Sequence, residues 1–310
     1  MSRLVRIGTR SSKLALAQVA EVYLSLSSLL SNIKIEVVPI KTSGDVHHSV
    51  KLAEIGGKGL FIKELEQALL ENKIDIAVHS SKDLPPILHS KTILSAINER
   101  NNPFDGLISH HKIKSLADLP KNAVIGTSSP RRSAFLKKLL PTCTIVDLRG
   151  NIDTRIAKLQ QKNFDAIVLA MAGLTRINQD HLAQYIFNAD QMPPSAGQGC
   201  LALQTRVDDP EIQQIASTVN HHQSNICFTA EREFISTMQG DCLTPMASFA
   251  TINHNILTLK TAIISNCGSE HYFQQLSTKI ISHHEAKKLG NTLALKTKTE
   301  AHSLWQKISS

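Results

Sequence analysis

Aromatic side chains and long apolar runs are both scarce in this sequence. Phe, Trp and Tyr make up 4% of the 310 residues, which argues against a platform that stacks nucleic-acid bases. Apolar runs such as 166–174 are far shorter than the roughly 18 residues that a membrane span needs. The N-terminal sequence MSRLVRIGTR lacks the apolar core and the cleavage site of a signal peptide. We therefore expect a cytoplasmic protein that does not cross a membrane.

Paired cysteines and the common catalytic motifs are also missing. The five cysteines are odd in number and include no CxxC pair, so the sequence predicts neither a disulfide framework nor a zinc knuckle. Eight of the histidines stand in adjacent pairs such as His47–His48, and adjacent side chains do not converge on one metal ion. No HExxH, GxSxG, GxGxxG or P-loop spacing is present. We predict no metal site.

Positive charge is in excess. The chain has 34 Lys and Arg against 26 Asp and Glu, a formal net charge of +8. This balance favours anionic partners, either nucleic acid or small polyanions. A chain of 310 residues fits two or three domains at about 100–200 residues each.

The first two thirds of the chain alternate between strand and helix patterns. Predicted strands cover residues 4–9, 34–40, 74–80, 93–98, 123–128, 143–149 and 164–170. Predicted helices cover residues 12–29, 60–71, 131–140 and 154–162. Short apolar runs separated by helices are typical of parallel sheets built from βαβ units.

Two polar segments interrupt this alternation. NERNNP at 98–103 and PPSAGQG at 193–199 predict places where the chain crosses between domains. After about residue 220 the pattern changes to adjacent strands at 248–252 and 255–264 and a helical segment from about 283. We therefore predict an α/β protein with a small α+β C-terminal domain. The predicted domains are residues 1–98 plus 199–217, residues 103–193 and residues 221–310.

Cations and hydroxyls follow most of the predicted strands. In open α/β sheets, ligands bind beyond the carboxyl ends of the strands. The side chains at these ends are Arg10, Ser12, Lys82, Ser129, Arg131, Arg132, Arg149, Arg155 and Arg176. Asp83 is the only prominent carboxylate among them. A single arginine is better interpreted as a solvated surface residue. Five strand ends together predict an anionic ligand, because guanidinium groups gathered in one cleft repel one another unless an anion lies between them. A carboxylate suits them, since the planar guanidinium can bind it through two hydrogen bonds.

Two further segments suit an anion. Ser129 and Pro130 fit the N-cap and the first position of a helix whose free N–H groups would face the ligand. An ordinary helix start fits the same residues equally well. Residues 41–61 are polar and glycine-bearing, which predicts a mobile loop over the site. Lys58 in this loop is either an anion contact or a solvated lysine.

Seven segments match one family in order along the chain. They are TRSSKLALAQ (9–18), GGKGLF (56–61), AVHSSKDLP (77–85), GTSSPRR (126–132), LRGNIDTR (148–155), LAMAGLTR (169–176) and ERxxxxxxxGDCLTP (231–245). Together they resemble the porphobilinogen deaminase, or hydroxymethylbilane synthase, family. The resemblance implies two lobes like those of type II periplasmic binding proteins, with mainly parallel sheets around a cleft. It also implies a third domain that carries Cys242 on a loop facing the cleft.

The resemblance further implies an activity. Members of the family join four porphobilinogen molecules head to tail, release ammonia and yield the linear tetrapyrrole hydroxymethylbilane. They build on a dipyrromethane cofactor attached by a thioether to a cysteine, here Cys242. Cysteine suits this role because its sulfur is a soft nucleophile that bonds stably to a methylene carbon. No apolar interface is evident, so we expect a monomer.

The family's functional residues carry over to matching positions. Each pyrrole bears an acetate and a propionate, so a growing chain accumulates carboxylates. By resemblance, Asp83 is the catalytic acid that stabilises the positive azafulvene formed when ammonia leaves. The residues implied to bind the cofactor are Cys242, Lys82, Ser12, Arg10, Ser129, Arg131, Arg132, Arg149, Gly150, Arg155 and Phe61. Those implied to bind substrate are Arg10, Arg149, Arg155, Arg176 and Lys58.

Two positions depart from the family pattern. Asp241 stands directly before the cysteine, where the family usually has a small residue. Its charge would oppose an incoming polycarboxylate, so we expect slower cofactor loading. Glu54 stands where lysine is frequent, which replaces a cation by an anion in the loop.

Two other functions compete with the enzyme. An anion-binding module of the same architecture would need neither Asp83 nor a modified Cys242, but it would normally carry an export signal. A nucleic-acid binder would show steep salt dependence of binding, and only the net charge favours it. A thioether on Cys242 distinguishes the enzyme from the anion-binding module.

Overall fold

The computed structural model describes residues 3–30, 32–42, 62–241, 243–279 and 282–309. Its strands are β1 (Arg3–Arg10), β2 (Ile33–Ile40), β3 (Ile76–Ser80), β4 (Thr92–Ile97), β5 (Asp105–Ser109), β6 (Val124–Gly126), β7 (Thr144–Val146), β8 (Ala166–Ala170), β9 (Tyr185–Ile186), β10 (Leu201–Arg206), β11 (Met246–Asn253), β12 (Ile256–Ile264) and β13 (His271–Lys279). Its helices are α1 (Lys13–Leu29), α2 (Lys63–Leu70), α3 (Pro130–Leu139), α4 (Ile152–Gln160), α5 (Met171–Arg176), α6 (Pro210–Ser217), α7 (His222–Met238), α8 (His283–Glu300) and α9 (His302–Ser309).

The chain divides into two compact units. Unit 1 comprises Met1–Asn101 and Cys200–Asn225, and unit 2 comprises Asn102–Gly199 and Ile226–Ser310. The first two changes of unit fall within or directly after the polar segments at 98–103 and 193–199. The division into three domains stays a prediction.

Unit 1 is built on one five-stranded sheet with the order β2-β1-β3-β10-β4. β1 pairs in parallel with β2 and β3, whereas β10 is antiparallel to both β3 and β4. Four of the five strands therefore run in one direction. Helix α1 covers this sheet because its apolar residues recur every three or four positions, and Val19, Val22 and Leu26 are buried against Ile7 and Ile76.

Unit 2 repeats the arrangement in its own five-stranded sheet, with the order β7-β6-β8-β5-β9. β6 is parallel to β7 and β8, and β5 is antiparallel to β8 and β9. Again one strand runs against the other four. The two sheets are both mainly parallel, and each has its one reversed strand in the fourth position. This shared strand order confirms the predicted fold class of type II binding-protein lobes.

The C-terminal part of unit 2 is the predicted small α+β domain. Its antiparallel sheet, β11-β12-β13, packs with α7, α8 and α9 around a core that includes Phe234, Leu259 and Leu293. Ala262 and Ile264 lie instead in the core that surrounds Leu107. This shared core explains why the small domain belongs to the same unit as the second five-stranded sheet.

Among the described residues, no helix is both long enough and apolar enough to cross a membrane.

Candidate functional site

In unit 1, the predicted site residues lie at one edge of the sheet. β1 and β3 are parallel neighbours, with Ile7 opposite Ile76, so their carboxyl ends meet at the same edge. Arg10 is the last residue of β1, and the 3-10 turn Ser81–Asp83 follows β3 directly. The structure therefore places Arg10, Lys82 and Asp83 on adjacent strand ends.

Helix α1 begins at this same edge. Ser12 is its N-cap, and the Ser12 hydroxyl accepts a hydrogen bond from the backbone N–H of Ala15 at 3.3 Å. One turn later, Gln18 Nε2 donates to Ser80 Oγ at 2.7 Å. This bond fixes the helix to the end of β3, immediately before the turn that carries Asp83.

A buried polar network supports the end of β3. His79 Nε2 lies 2.9 Å from Gln204 Oε1, and Gln204 Nε2 donates to Glu66 Oε1 at 2.7 Å and to Thr92 Oγ1 at 2.8 Å. Burial lowers the pKa of His79 to about 4, although its bond to Gln204 and the charges of Glu66 and Asp83 act in the other direction. His79 is therefore neutral near pH 7 and acts as a fixed donor. Because His79 lies inside a buried strand, the sequence alone does not indicate this network.

In unit 2, the other predicted residues also share one sheet edge. The parallel neighbours β7, β6 and β8 end at Val146, Gly126 and Ala170. The loops and helices that follow carry Ser129 to Arg132, Arg149 to Arg155, and Arg176. Ser128 Oγ donates to the carbonyl of Leu148 at 2.6 Å and so ties the first two loops together.

Arg131 and Arg132 are buried and share a carboxylate of the chain itself. Arg131 Nη2 donates to Asp105 Oδ2 at 2.7 Å, and Arg132 donates to Asp105 Oδ1 through Nε at 3.0 Å and Nη2 at 2.8 Å. Arg131 also donates to Ser195 Oγ at 3.0 Å and to the Pro193 carbonyl at 2.7 Å. Burial lowers the pKa of Arg131, and Asp105 opposes that effect. The structure thus gives both guanidinium groups an internal partner, and their role toward the cofactor stays a prediction.

Arg149 and Arg155 lie around a tight turn. Gly150 has a φ of +112°, and a Cβ there would meet Thr154 Cβ at 2.9 Å, so the position requires glycine. Arg155 Nε donates to the carbonyl of Gly150 at 2.7 Å. Arg149 Nε donates to Asp147 Oδ2 at 2.6 Å. The turn thus brings together two of the arginines that are predicted to bind ligand carboxylates, and Asp147 adds an acidic side chain beside them.

Arg176 is attached to the segment that leaves unit 2. Its Nη2 donates to the carbonyl of Gly199 at 3.0 Å. The same segment is anchored by Gln198 Nε2, 3.0 Å from Asp105 Oδ1, and by the Gly197 N–H, 2.7 Å from Glu231 Oε2. Glu231 is fully buried and also accepts from the Ala250 N–H at 2.7 Å.

The prediction that Asp83 is the only prominent carboxylate at the strand ends is wrong. Asp105 reaches the edge of the second sheet because β5 runs against β8 and begins opposite Ala170, the last residue of β8. Asp147 follows β7, which ends at Val146 and not at the predicted residue 149. In the sequence, only the proximity of Asp147 to Arg149 could have indicated that Asp147 belongs to this edge.

Several predicted residues lie outside the described part of the chain, namely Cys242, Phe61, Lys58 and Glu54. The neighbouring Asp241 is described. Its Oδ1 accepts from the Leu243 N–H at 2.9 Å and from Thr244 Oγ1 at 3.1 Å. Both donors are neutral, so the expectation that Asp241 slows cofactor loading stays a prediction. No cluster of His, Cys, Asp or Glu suited to a metal ion occurs within the described ranges.

Comparison with solved structures finds distant likenesses. A nutrient-binding protein from Burkholderia cenocepacia, bound to methionine, is 13% identical and matches 69% of this chain and 91% of its own, with a TM-score of 0.44. The BvgS periplasmic VFT2 domain from Bordetella pertussis is 14% identical and matches 70% of this chain and 86% of its own, with a TM-score of 0.42.

Comparison of sequences gives the family. Residues 5–214 match the model of the porphobilinogen deaminase dipyromethane cofactor binding domain, and residues 225–299 match that of the C-terminal domain. The porphobilinogen deaminase of Ehrlichia chaffeensis is 45% identical over 262 residues, 84% of this chain and 88% of that protein. The porphobilinogen deaminase of Legionella pneumophila is 44% identical over 270 residues, 87% of each chain. With matches of this extent to both its parts, the chain is an enzyme of the porphobilinogen deaminase family.

Proposed function

We propose that this enzyme joins four porphobilinogen molecules head to tail, with loss of four ammonia molecules and uptake of one water molecule, to give hydroxymethylbilane in tetrapyrrole synthesis. The observation that carries the proposal is the placement of cations at the carboxyl ends of the parallel strands in both units. Arg10 and Lys82 lie at such ends in unit 1, and Arg149, Arg155 and Arg176 lie at or just beyond them in unit 2. A product that gains two carboxylates with each ring is suited to a site with several such cations.

The residues present fit a dipyrromethane cofactor. Its acetate and propionate groups match the guanidinium and ammonium groups named above, and Ser12, Ser129 and Gly150 add small or hydroxyl-bearing positions at the same edges. Arg131, Arg132 and Phe61 complete the predicted set. Cys242 supplies the sulfur for the thioether. When bound, the cofactor supplies a primer to whose terminal ring new pyrroles are added.

Asp83 is the proposed catalytic residue. It is exposed at the end of the turn that follows β3, next to Lys82. A carboxylate there stabilises the positive charge that develops on porphobilinogen as ammonia leaves. It is also placed on a chain segment fixed by the Gln18–Ser80 bond, which keeps the position of the acid defined for proton transfer to the amine. Lys58 is proposed to contact substrate carboxylates.

We also propose that the protein works as a cytoplasmic monomer of three domains, with porphobilinogen as its small-molecule partner and with neither nucleic acid nor membrane bound. The low aromatic content argues against bound nucleic acid. The polar segments at 98–103 and 193–199 and the change of pattern after about residue 220 support three domains.

The mass of the denatured protein tests the proposed function. We expect the purified chain to carry the extra mass of two linked pyrroles, and Cys242→Ser to lack it. Asp83→Asn is the matched variant: it should keep the extra mass and lose most of its turnover of porphobilinogen.

The two measurements can contradict different parts of the proposed function. If the chain has no extra mass and acquires none after incubation with porphobilinogen, it is an anion-binding module and not this enzyme. Full turnover in Asp83→Asn would remove Asp83 from the mechanism but would leave the primer in place.

A further inference from the structure

Asp147 forms an ion pair with one of the arginines proposed to bind substrate. Asp147 Oδ2 lies 2.6 Å from Arg149 Nε, and the two side chains are 55% and 26% exposed, respectively. A charged hydrogen bond of this length is well formed. Because both partners remain accessible to solvent, an anionic ligand can also reach Arg149.

The surroundings keep Asp147 ionised. Partial burial raises the pKa of the Asp147 carboxyl, but hydrogen bonds with Ser128 and Arg149 and the charges of Arg149 and Arg155 outweigh burial and hold that pKa below its usual value. Asp147 is therefore a carboxylate throughout the neutral pH range. It presents to Arg149 the same functional group that a pyrrole acetate or propionate presents.

Two further cations lie at the turn beside this ion pair. Besides Arg149, Arg155 is held by the carbonyl of Gly150 at 2.7 Å, and Lys158 Nζ donates to the carbonyl of Arg149 at 3.2 Å. Cations this close repel one another. An internal carboxylate lowers that repulsion, and a ligand carboxylate that takes its place would do the same.

We propose that Asp147 is an internal competitor that occupies Arg149 and is displaced by the carboxylates of the pyrrole chain. The proposal rests on the proposed function. Displacement is feasible because an exposed ion pair contributes little free energy. Arg149 then exchanges one carboxylate for another without being left alone at any stage, which weakens the binding of each ring and speeds the release of the finished chain.

Removing the competitor tests this role. In Asp147→Asn, Arg149 should bind ligand carboxylates more tightly, so the KM for porphobilinogen should fall about two- to five-fold, as expected for an exposed ion pair. The kcat should not rise, and intact-mass spectra taken during turnover should show more protein carrying additional pyrroles. Asp147→Ser, which removes the same charge with a smaller side chain, should behave alike.

A matched control is available in the same unit. Asp190 is exposed and pairs with Lys260, with Oδ1 and Nζ 2.7 Å apart. Asp190→Asn removes one carboxylate and one ion pair, as Asp147→Asn does, but the partner of Asp190 is Lys260 of the small domain, which is not among the proposed ligands. It should leave the KM and the mass spectra unchanged, which separates local competition from the general change in net charge.

A binding measurement separates this proposal from the proposed function. Benzenehexacarboxylate serves as an unreactive polycarboxylate probe in calorimetric titration. Its affinity should rise about two- to five-fold in Asp147→Asn and not in Asp190→Asn. Such a rise in a protein without primer or turnover would uphold the competitor and refute the proposed reaction. An equal or lower affinity in both Asp147 variants would overturn the competitor, since Asp147 would then only position Arg149.

Discussion

At the residue scale, Asp105 determines the arrangement of the second sheet edge. Its carboxylate is fully buried and accepts bonds from Arg131, Arg132 and Gln198. Burial of a charge is costly unless the charge is paired and hydrogen-bonded, and here each oxygen has a charged donor. Removal of the carboxylate would leave two buried guanidinium groups without their counterion. Asp105 is therefore a positioning residue for the two arginines that begin α3.

Asp105→Asn should destabilise unit 2 by about 3–5 kcal/mol, the cost of breaking a buried ion pair on one side. Urea unfolding of the protein without added ligand measures this loss. Asp190→Asn, which breaks an exposed pair, should change the free energy of unfolding by about 1 kcal/mol or less. A small loss in Asp105→Asn would mean that the other acceptors of the two arginines, such as the Pro193 and Val168 carbonyls, hold them without Asp105.

At the scale of elements, the packing of α8 on α7 depends on a glycine. A Cβ at Gly290 would lie 2.4 Å from the carbonyl oxygen of Ala230 and 3.0 Å from the backbone nitrogen of Phe234. Both are atoms of the α7 backbone, which cannot move without shifting the whole helix. Glycine costs α8 up to about 1 kcal/mol in helix propensity, and the close approach of the two helices offsets that cost.

Gly290→Ala should lower the free energy of unfolding by about 1–3 kcal/mol, because overpacking outweighs the gain in helix propensity. Chemical denaturation followed by circular dichroism tests this. Lys288→Ala in the same helix is exposed and should stay within about 0.5 kcal/mol of the parent. A more stable Gly290→Ala would show that the two helices have room to separate.

The strands that sequence patterns missed also belong to this scale. Four of the described strands were not predicted: β5, β9, β10 and β13. Of these, β5 and β10 are the reversed strands of their five-stranded sheets. Each follows a crossing segment directly, so no helix precedes it to mark a βαβ unit. The parallel strands were found because a short apolar run and an adjacent amphipathic helix are local signals, whereas insertion of a reversed strand depends on partners far along the chain.

At the scale of the whole molecule, acid should weaken the protein through His79. Its pKa is about 4 in the folded state because it is fully buried, against about 6.5 when unfolded. Between these values the unfolded chain binds a proton that the folded chain does not. The contribution of neutral His79 is therefore complete above pH 6.5 and declines as the pH falls toward 4.

The free energy of unfolding should fall by up to about 3 kcal/mol over this pH range from His79 alone. His79→Gln retains a donor for Gln204 and should flatten the decline, whereas His181→Gln, an exposed residue of unit 2, should not. Urea unfolding at pH 7, 6 and 5 makes the comparison. Parallel declines in all three proteins would assign the acid sensitivity to other groups.

The sequence by itself determined the family, the βαβ alternation and the set of cations at the strand ends. These follow from local patterns, since the residue after a strand is placed at the sheet edge wherever the sheet lies. Only the tertiary structure decided which carboxylates those cations meet. Asp105 reaches Arg131 and Arg132 through a strand that enters the sheet in reverse, and Asp147 turns to Arg149 where β7 ends early. Both contacts depend on backbone direction and strand length, which pairing between distant segments fixes and local pattern does not.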